Sequence, residues 1–189
     1  MTFSPLERRQ FIALLAGGVG AVWLGAAPRD LSAAAAKAAA ARDDDPWRVL
    51  SATEAQVLEA IAEQIIPSDD TPGAREARVV RFMDNALATF AAAELPAWRT
   101  GFGEVQAIVQ HRRPGLASFA QMEKTEQADL LRALEHARSG FFQLVIIATL
   151  QGMFSNPEYG GNHDKIGWQL LGFQDRFVWS APFGDYDRE

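Results

Sequence analysis

The residues best suited to acid–base or metal chemistry are His163 and Asp164, which are adjacent in a glycine-rich segment near the C-terminus. An imidazole beside a carboxylate can transfer protons or ligate a metal ion. Spacing gives a metal site little support, because none of the 3 histidines belongs to an H-x-x-x-H or E-x-x-H pair. A stand-alone exported enzyme that uses His163 and Asp164 is therefore kept as an alternative function.

Much redox chemistry, and several other kinds of site, are excluded by what the sequence lacks. The chain has no cysteine, which excludes disulfides, thiolate zinc sites, iron–sulfur clusters, covalent haem attachment and a cysteine nucleophile. No serine lies in a G-x-S-x-G elbow, and the glycines at 17–20 lack the full nucleotide-binding pattern. A net charge of −6 disfavours nucleic acid as a partner. No sequence pattern therefore identifies a catalytic, cofactor-binding or metal-binding residue in this chain.

The glycine-rich segment is also the best candidate for a recognition surface. Its glycines predict a tight turn with positive φ angles that holds nearby side chains in fixed directions. The alternative is a helix cap whose aromatic residues only complete the core. We predict that the turn forms a partner interface together with aromatic residues further along the chain. The predicted interface residues are Tyr159, Gly160, Gly161, Asn162, His163, Asp164, Trp168, Phe173, Trp179 and Phe183.

The N-terminus has the pattern of an export signal. Arg8 and Arg9 precede an uncharged stretch at 11–27, which ends in small residues. Because Phe11 follows the arginine pair after one variable residue, the start resembles a twin-arginine (Tat) signal, which exports folded proteins. We expect cleavage after Ala27 and a periplasmic mature chain. The alternatives are a Sec signal that happens to carry two arginines and a helical scaffold anchored by an uncleaved N-terminus.

Apolar residues spaced three and four apart predict an all-α fold. A capping box formed by Ser51 and Glu54 begins the first helix, which runs to Ile66. Further helices are predicted at about 75–93, 96–113, 125–137 and 141–150. The last of them is almost entirely apolar, so we expect it at the centre. The predicted fold is a compact helical bundle of about five to six helices with a glycine-rich loop and an extended aromatic C-terminal tail.

The chain divides into four parts, which are a signal peptide at 1–27, an alanine-rich spacer at 28–46, a helical domain at 47–175 and a C-terminal arm at 176–189. The arm carries aromatic residues without helical spacing, which is typical of a segment that docks on another subunit. Disorder of the arm is the alternative interpretation.

Three parts of the sequence resemble the small (gamma) subunit family of gluconate 2-dehydrogenase, which is subunit 3 of FAD-dependent sugar and polyol dehydrogenase complexes. They are the twin-arginine start, residues 60–74, and residues 152–168 with the Tyr-Gly-Gly-Asn element at 159–162. The resemblance covers about residues 50–175. The chain departs from the family pattern in its alanine-rich spacer, its aromatic tail and His163, where a basic residue such as arginine is more usual.

The resemblance implies a noncatalytic subunit. In such complexes the large subunit is a flavoprotein of the glucose–methanol–choline type that holds FAD and the substrate. A cytochrome c subunit with haem c often takes the electrons onward. The resemblance further implies that this chain binds and stabilises the large subunit, supplies the Tat signal for its export, and is associated with the membrane through the complex.

Overall fold

The computed structural model describes residues 45–175 together with Ser32, Ala35 and Ala36. The predicted signal residues Arg8, Arg9 and Phe11 and the arm residues Trp179 and Phe183 lie outside this range. Within residues 45–175 all regular structure is helical, which confirms the all-α prediction. The α-helices are α1 (Ala52–Ile65), α2 (Val79–Leu87), α3 (Leu95–Arg112), α4 (Lys124–His136), α5 (Gly140–Phe154) and α6 (Ile166–Leu171). Among the described helices, none is long and apolar enough to cross a membrane.

Helix α1 begins with the predicted capping box. The Ser51 hydroxyl accepts a hydrogen bond from the backbone N–H of Glu54 at 3.2 Å, and the Glu54 carboxylate accepts one from the Ser51 N–H at 2.7 Å. These two bonds satisfy N–H groups that have no partner inside the helix. The buried residues Val57, Leu58 and Ile61 lie on one face of α1, as their spacing predicts.

Helix α2 is shorter than the predicted helix at 75–93. Arg78 adopts the left-handed conformation at φ 55° and ψ 39°, so residues 74–78 form a separate turn and α2 begins at Val79. A right-handed helix cannot continue through such a residue. At its other end the chain passes into a 3₁₀ turn at Ala92–Glu94. Every residue of α2 except Arg81 is buried, so this helix lies in the interior of the bundle.

Helix α5 is central, as its apolar sequence predicts, and contacts each of the other described α-helices. It extends beyond the predicted range of 141–150 to Phe154, so Gly152 belongs to the helix and not to the loop. A Cβ at Gly152 would lie 3.0 Å from the Val79 side chain, which shows how closely α2 approaches α5. The glycine is therefore required for helix packing.

The loop between α1 and α2 is held together by Glu76. The Ser68 hydroxyl donates to Glu76 Oε2 at 2.6 Å, and the Gly73 N–H donates to the same oxygen at 2.8 Å. The hydrogen bond from Ser68, followed by that from Gly73, holds the pKa of Glu76 below its ordinary value of 4.5. Both bonds favour the charged carboxylate, so they stabilise the folded state when Glu76 is ionised.

We expect Glu76→Gln to reduce the pH dependence of stability below pH 4.5. A carboxyl whose pKa is lower in the folded state contributes stability above the unfolded pKa, and this contribution is lost as the pH falls through the folded pKa. The variant should therefore be less stable than the parent at pH 7, and the difference should shrink toward pH 3. Thermal unfolding at pH 7, 4 and 3 measures this difference in stability. Glu104→Gln, on the exposed face of α3, is the control. An equal difference at pH 7 and pH 3 would contradict the prediction.

Candidate functional site

The glycine-rich segment consists of a turn and a short helix. The sequence predicts a glycine-rich loop after the central helix, but residues 152–154 belong to α5 and residues 166–171 form α6. Two 3₁₀ turns, Pro157–Tyr159 and His163–Lys165, lie between the helices. We call residues 157–165 the glycine-rich turn. Trp168 therefore lies on α6, and Phe173 lies just after its end.

Asn162 holds the glycine-rich turn between α5 and α6. Its backbone N–H donates to the Gly152 carbonyl at 2.6 Å, and its side-chain Nδ2 donates to the Ser155 carbonyl at 2.9 Å. Its Oδ1 accepts from the Gly167 N–H at 2.8 Å. Asn162 is fully buried. The side chain predicted to face a partner thus bonds inside the chain and positions the residues around it.

The glycines of this region meet two different requirements. Gly160 has a φ of 98°, which confirms the predicted positive angle. Gly161 does not belong to the positive-φ residues, so the prediction of left-handed backbone there is wrong. A Cβ at Gly161 would overlap the carbonyl oxygen of Gly152, and one at Gly167 would overlap that of Met153. Gly161 and Gly167 therefore permit backbones to approach each other closely.

The outer side of α6 carries aromatic and aliphatic residues. Trp168 Nε1 donates to the Phe154 carbonyl at 2.8 Å, and its ring packs edge-on against Phe173 at a centroid distance of 5.2 Å. Phe173 is 47% exposed and Leu171 is 39% exposed. Tyr159 packs partly against the core, and its carbonyl accepts a hydrogen bond from Asn85 Nδ2 at 3.2 Å.

Charged residues border this apolar area. His163 Nε2 lies 3.4 Å from Asp164 Oδ2, and Lys165 Nζ lies 2.8 Å from Asp175 Oδ2. Asp164 and Lys165 have φ angles of 53° and 59°, and each non-glycine residue in the left-handed region costs about 1–2 kcal/mol. The His163–Asp164 pair faces solvent, with side-chain exposures of 36% and 78%. In residues 45–175 no three potential metal ligands come together.

A second polar cluster, which sequence analysis did not predict, surrounds Asp84 on α2. This buried carboxylate accepts hydrogen bonds from three backbone N–H groups. The donor is Arg48 at 2.8 Å in one bond, and Val49 and Leu50 at 3.0 Å in the other two. Arg81 reinforces it, because its guanidinium donates to the Asp45 carbonyl at 2.8 Å and stacks on Trp47 at 4.0 Å. We call these contacts between residues 45–50 and α2 the N-terminal clasp. An aspartate inside the apolar stripe of a helix is the signal that predicts such a buried acceptor.

The fold and the turn define a small all-helical domain whose glycine-rich motif builds the junction between its last two helices. A family model described as gluconate 2-dehydrogenase subunit 3 matches residues 52–175. The chain therefore belongs to the gluconate 2-dehydrogenase subunit 3 family, as the resemblance in its sequence indicates. The matched range begins at the first residue of α1 and includes all helices through α6. No curated protein and no solved structure shows significant similarity to the chain.

Proposed function

We propose that this chain is a noncatalytic small subunit of a periplasmic FAD-dependent sugar or polyol dehydrogenase complex. It binds and stabilises the catalytic flavoprotein, which is of the glucose–methanol–choline type, and provides the Tat signal for its export. The match to subunit 3 across all described α-helices carries this proposal. In this proposal FAD belongs to the large subunit and haem c to a cytochrome c subunit, and the complex gives the chain its association with the membrane.

The proposed contact surface for the flavoprotein is the outer side of α6 with the exposed part of the glycine-rich turn. Trp168 and Phe173 supply aromatic area, and His163, Asp164 and Lys165 supply a polar rim. Aromatic residues within a polar rim are typical of protein interfaces. Because Asn162 already positions the turn, binding costs less conformational entropy than it would for a free loop. The arm residues Trp179 and Phe183 are proposed to extend this surface.

Co-purification tests the subunit function. The chain is tagged, expressed together with its genomic neighbour, and purified through the tag. We expect a large second chain and absorption bands at about 380 and 450 nm, as for protein-bound FAD. The tagged chain expressed alone is the control and should be colourless. A colourless single species from the co-expression would contradict the proposal, and substrate turnover by that species would favour the alternative enzyme with His163 and Asp164.

The export proposal has a separate test. Mass spectrometry of the mature chain from the periplasmic fraction should give an N-terminus at Pro28. Replacing Arg8 and Arg9 by lysine should keep both subunits in the cytoplasm, because the flavoprotein is proposed to have no signal of its own. A mature chain that retains residues 1–27 would favour the anchored scaffold.

We expect replacement of both Gly160 and Gly161 by valine to weaken the complex about tenfold or more, which corresponds to 1.4 kcal/mol. Valine at Gly160 is strained at a φ of 98°, and valine at Gly161 overlaps the Gly152 carbonyl, so the turn must change shape. Co-purified flavin measures the complex, and circular dichroism should show that most helical content remains.

Gly115→Val is the matched control for this double variant. Gly115 has a φ of 93°, and no atom lies within 4 Å of the position that a Cβ would take there. The substitution therefore introduces similar backbone strain at a loop after α3. It should leave the complex intact. Equal amounts of co-purified flavin for the double variant and the parent would show that the glycine-rich turn is not part of the interface.

A further inference from the structure

One short helix is bonded both to the N-terminal clasp and to the glycine-rich turn. Asp84 of α2 binds the backbone of residues 48–50, and the next residue, Asn85, donates to the Tyr159 carbonyl at 3.2 Å. The turn that leads into α2 makes a second link, because the Ala77 carbonyl accepts from the His163 N–H at 3.2 Å. The two surface features are therefore joined through a single buried element.

Opening of the N-terminal clasp removes a support of α2. Asp84 is only 2% exposed in the closed clasp, and opening exchanges its three backbone N–H partners for water. Helix α2 then loses its bonds to the N-terminal segment and is held less firmly. A less firmly held α2 also restrains the glycine-rich turn less, because Asn85 and the Ala77 carbonyl are bonded to that turn.

We propose that α2 couples the two features, so that docking of the catalytic flavoprotein on the glycine-rich turn tightens the N-terminal clasp. This inference rests on the proposed function. A docked partner fixes the turn, the turn fixes α2 through Tyr159 and His163, and a fixed α2 holds residues 48–50 on Asp84. By linkage, opening of the clasp weakens docking by the same factor.

The coupling has a consequence for export. Residues 45–50 join the helical domain to the part of the chain that contains the predicted Tat signal. The clasp has no regular secondary structure of its own and is held mainly by side chains, which is typical of a segment that opens locally. In a free subunit it opens more often than in the complex. The segment that leads to the predicted signal is thus held most firmly on the helical domain in a subunit that carries its partner.

Hydrogen exchange measured by mass spectrometry tests this coupling. The amides of Arg48, Val49 and Leu50 are the reporters, because each is bonded to Asp84 in the closed clasp. We expect these amides to exchange about fivefold more slowly in the complex than in the free chain, which is the lower end of the usual range of coupling between sites. Asn85→Ala, which removes the bond to Tyr159 but leaves the bond between Ala77 and His163, should clearly reduce this difference.

Gln110→Ala is the matched control, because it also removes a side-chain amide that donates to a backbone carbonyl, that of Leu116, but on α3. It should retain the full slowing. Trp47→Ala provides a second approach that leaves the buried residues of α2 intact. It removes the stacking with Arg81 and should weaken docking of the flavoprotein in proportion to the fraction of the free variant whose clasp is open, up to the factor by which docking slows exchange in the parent.

The outcomes separate the coupling from the proposed function. A complex that forms with unchanged exchange at residues 48–50 would overturn the coupling and leave the subunit function intact. Equal slowing in the parent and in Asn85→Ala would overturn the proposed coupling through Asn85 and Tyr159. If the clasp of free Trp47→Ala is largely open but the variant docks like the parent, the coupling is also overturned. Failure of any complex to form would overturn both proposals.

Discussion

Replacing Asp84 by alanine is expected to lower the free energy of unfolding by about 3–5 kcal/mol. The carboxylate is the shared acceptor for three backbone N–H groups, and Leu50, which carries one of them, is itself buried. Alanine leaves these donors without their acceptor and opens space inside the bundle. Urea denaturation followed by circular dichroism measures the change.

Two further variants locate the cause of this loss. Asp84→Asn keeps one oxygen acceptor but turns an NH₂ group toward backbone donors, so it should destabilise the protein less than alanine does. Asp129→Ala removes an exposed carboxylate paired with Arg132 and should change stability by about 0.5 kcal/mol or less. A loss below about 1 kcal/mol for Asp84→Ala would show that the clasp contributes little to folding.

The features predicted correctly from the sequence are those with local causes. The capping box of Ser51 and Glu54 needs only residues three apart, and the face of α1 follows from the spacing of Val57, Leu58 and Ile61. The central position of α5 follows from a run of residues with no charged member. These patterns determine which surfaces must be buried, so they predict fold class and helix positions.

The features predicted incorrectly depend on contacts between distant residues. Nothing near Arg78 in the sequence requires a left-handed backbone, yet this conformation ends the turn before α2. The neighbouring Ala77 carbonyl accepts a hydrogen bond from the N–H of His163, a residue far from Ala77 in the sequence. Asn162 beside two glycines looks like a surface turn, but its partners at Gly152, Ser155 and Gly167 bury it.

The Tyr-Gly-Gly-Asn element has a structural explanation for each position. The Tyr159 carbonyl binds Asn85, Gly160 supplies a positive φ, Gly161 permits close approach to Gly152, and Asn162 connects α5 to α6. None of these roles requires a partner. We therefore expect specificity for a partner to depend on the exposed residues around this element and not on the element itself.

Gly167→Ala is expected to lower the free energy of unfolding by about 3 kcal/mol, although it adds only one methyl group. That methyl would overlap the carbonyl oxygen of Met153, which belongs to the backbone of α5 and cannot rotate away. Relief requires α6 to move away from α5. This movement breaks the bond from the Gly167 N–H to Asn162 and the bond from Trp168 to the Phe154 carbonyl. Thermal unfolding followed by circular dichroism measures the loss.

Gly103→Ala gives the opposite result for the same chemical change. Gly103 lies within α3, and no atom lies within 4 Å of the position its Cβ would take. Alanine there should stabilise the protein by about 0.5–1 kcal/mol, because glycine loses more backbone entropy in a helix. Since α6 carries the proposed contact surface, Gly167→Ala should also reduce co-purified flavin, whereas Gly103→Ala should not. Equal stability of the two variants would show that α6 can shift on α5 at little cost, and the rigidity assigned to the contact surface would then be wrong.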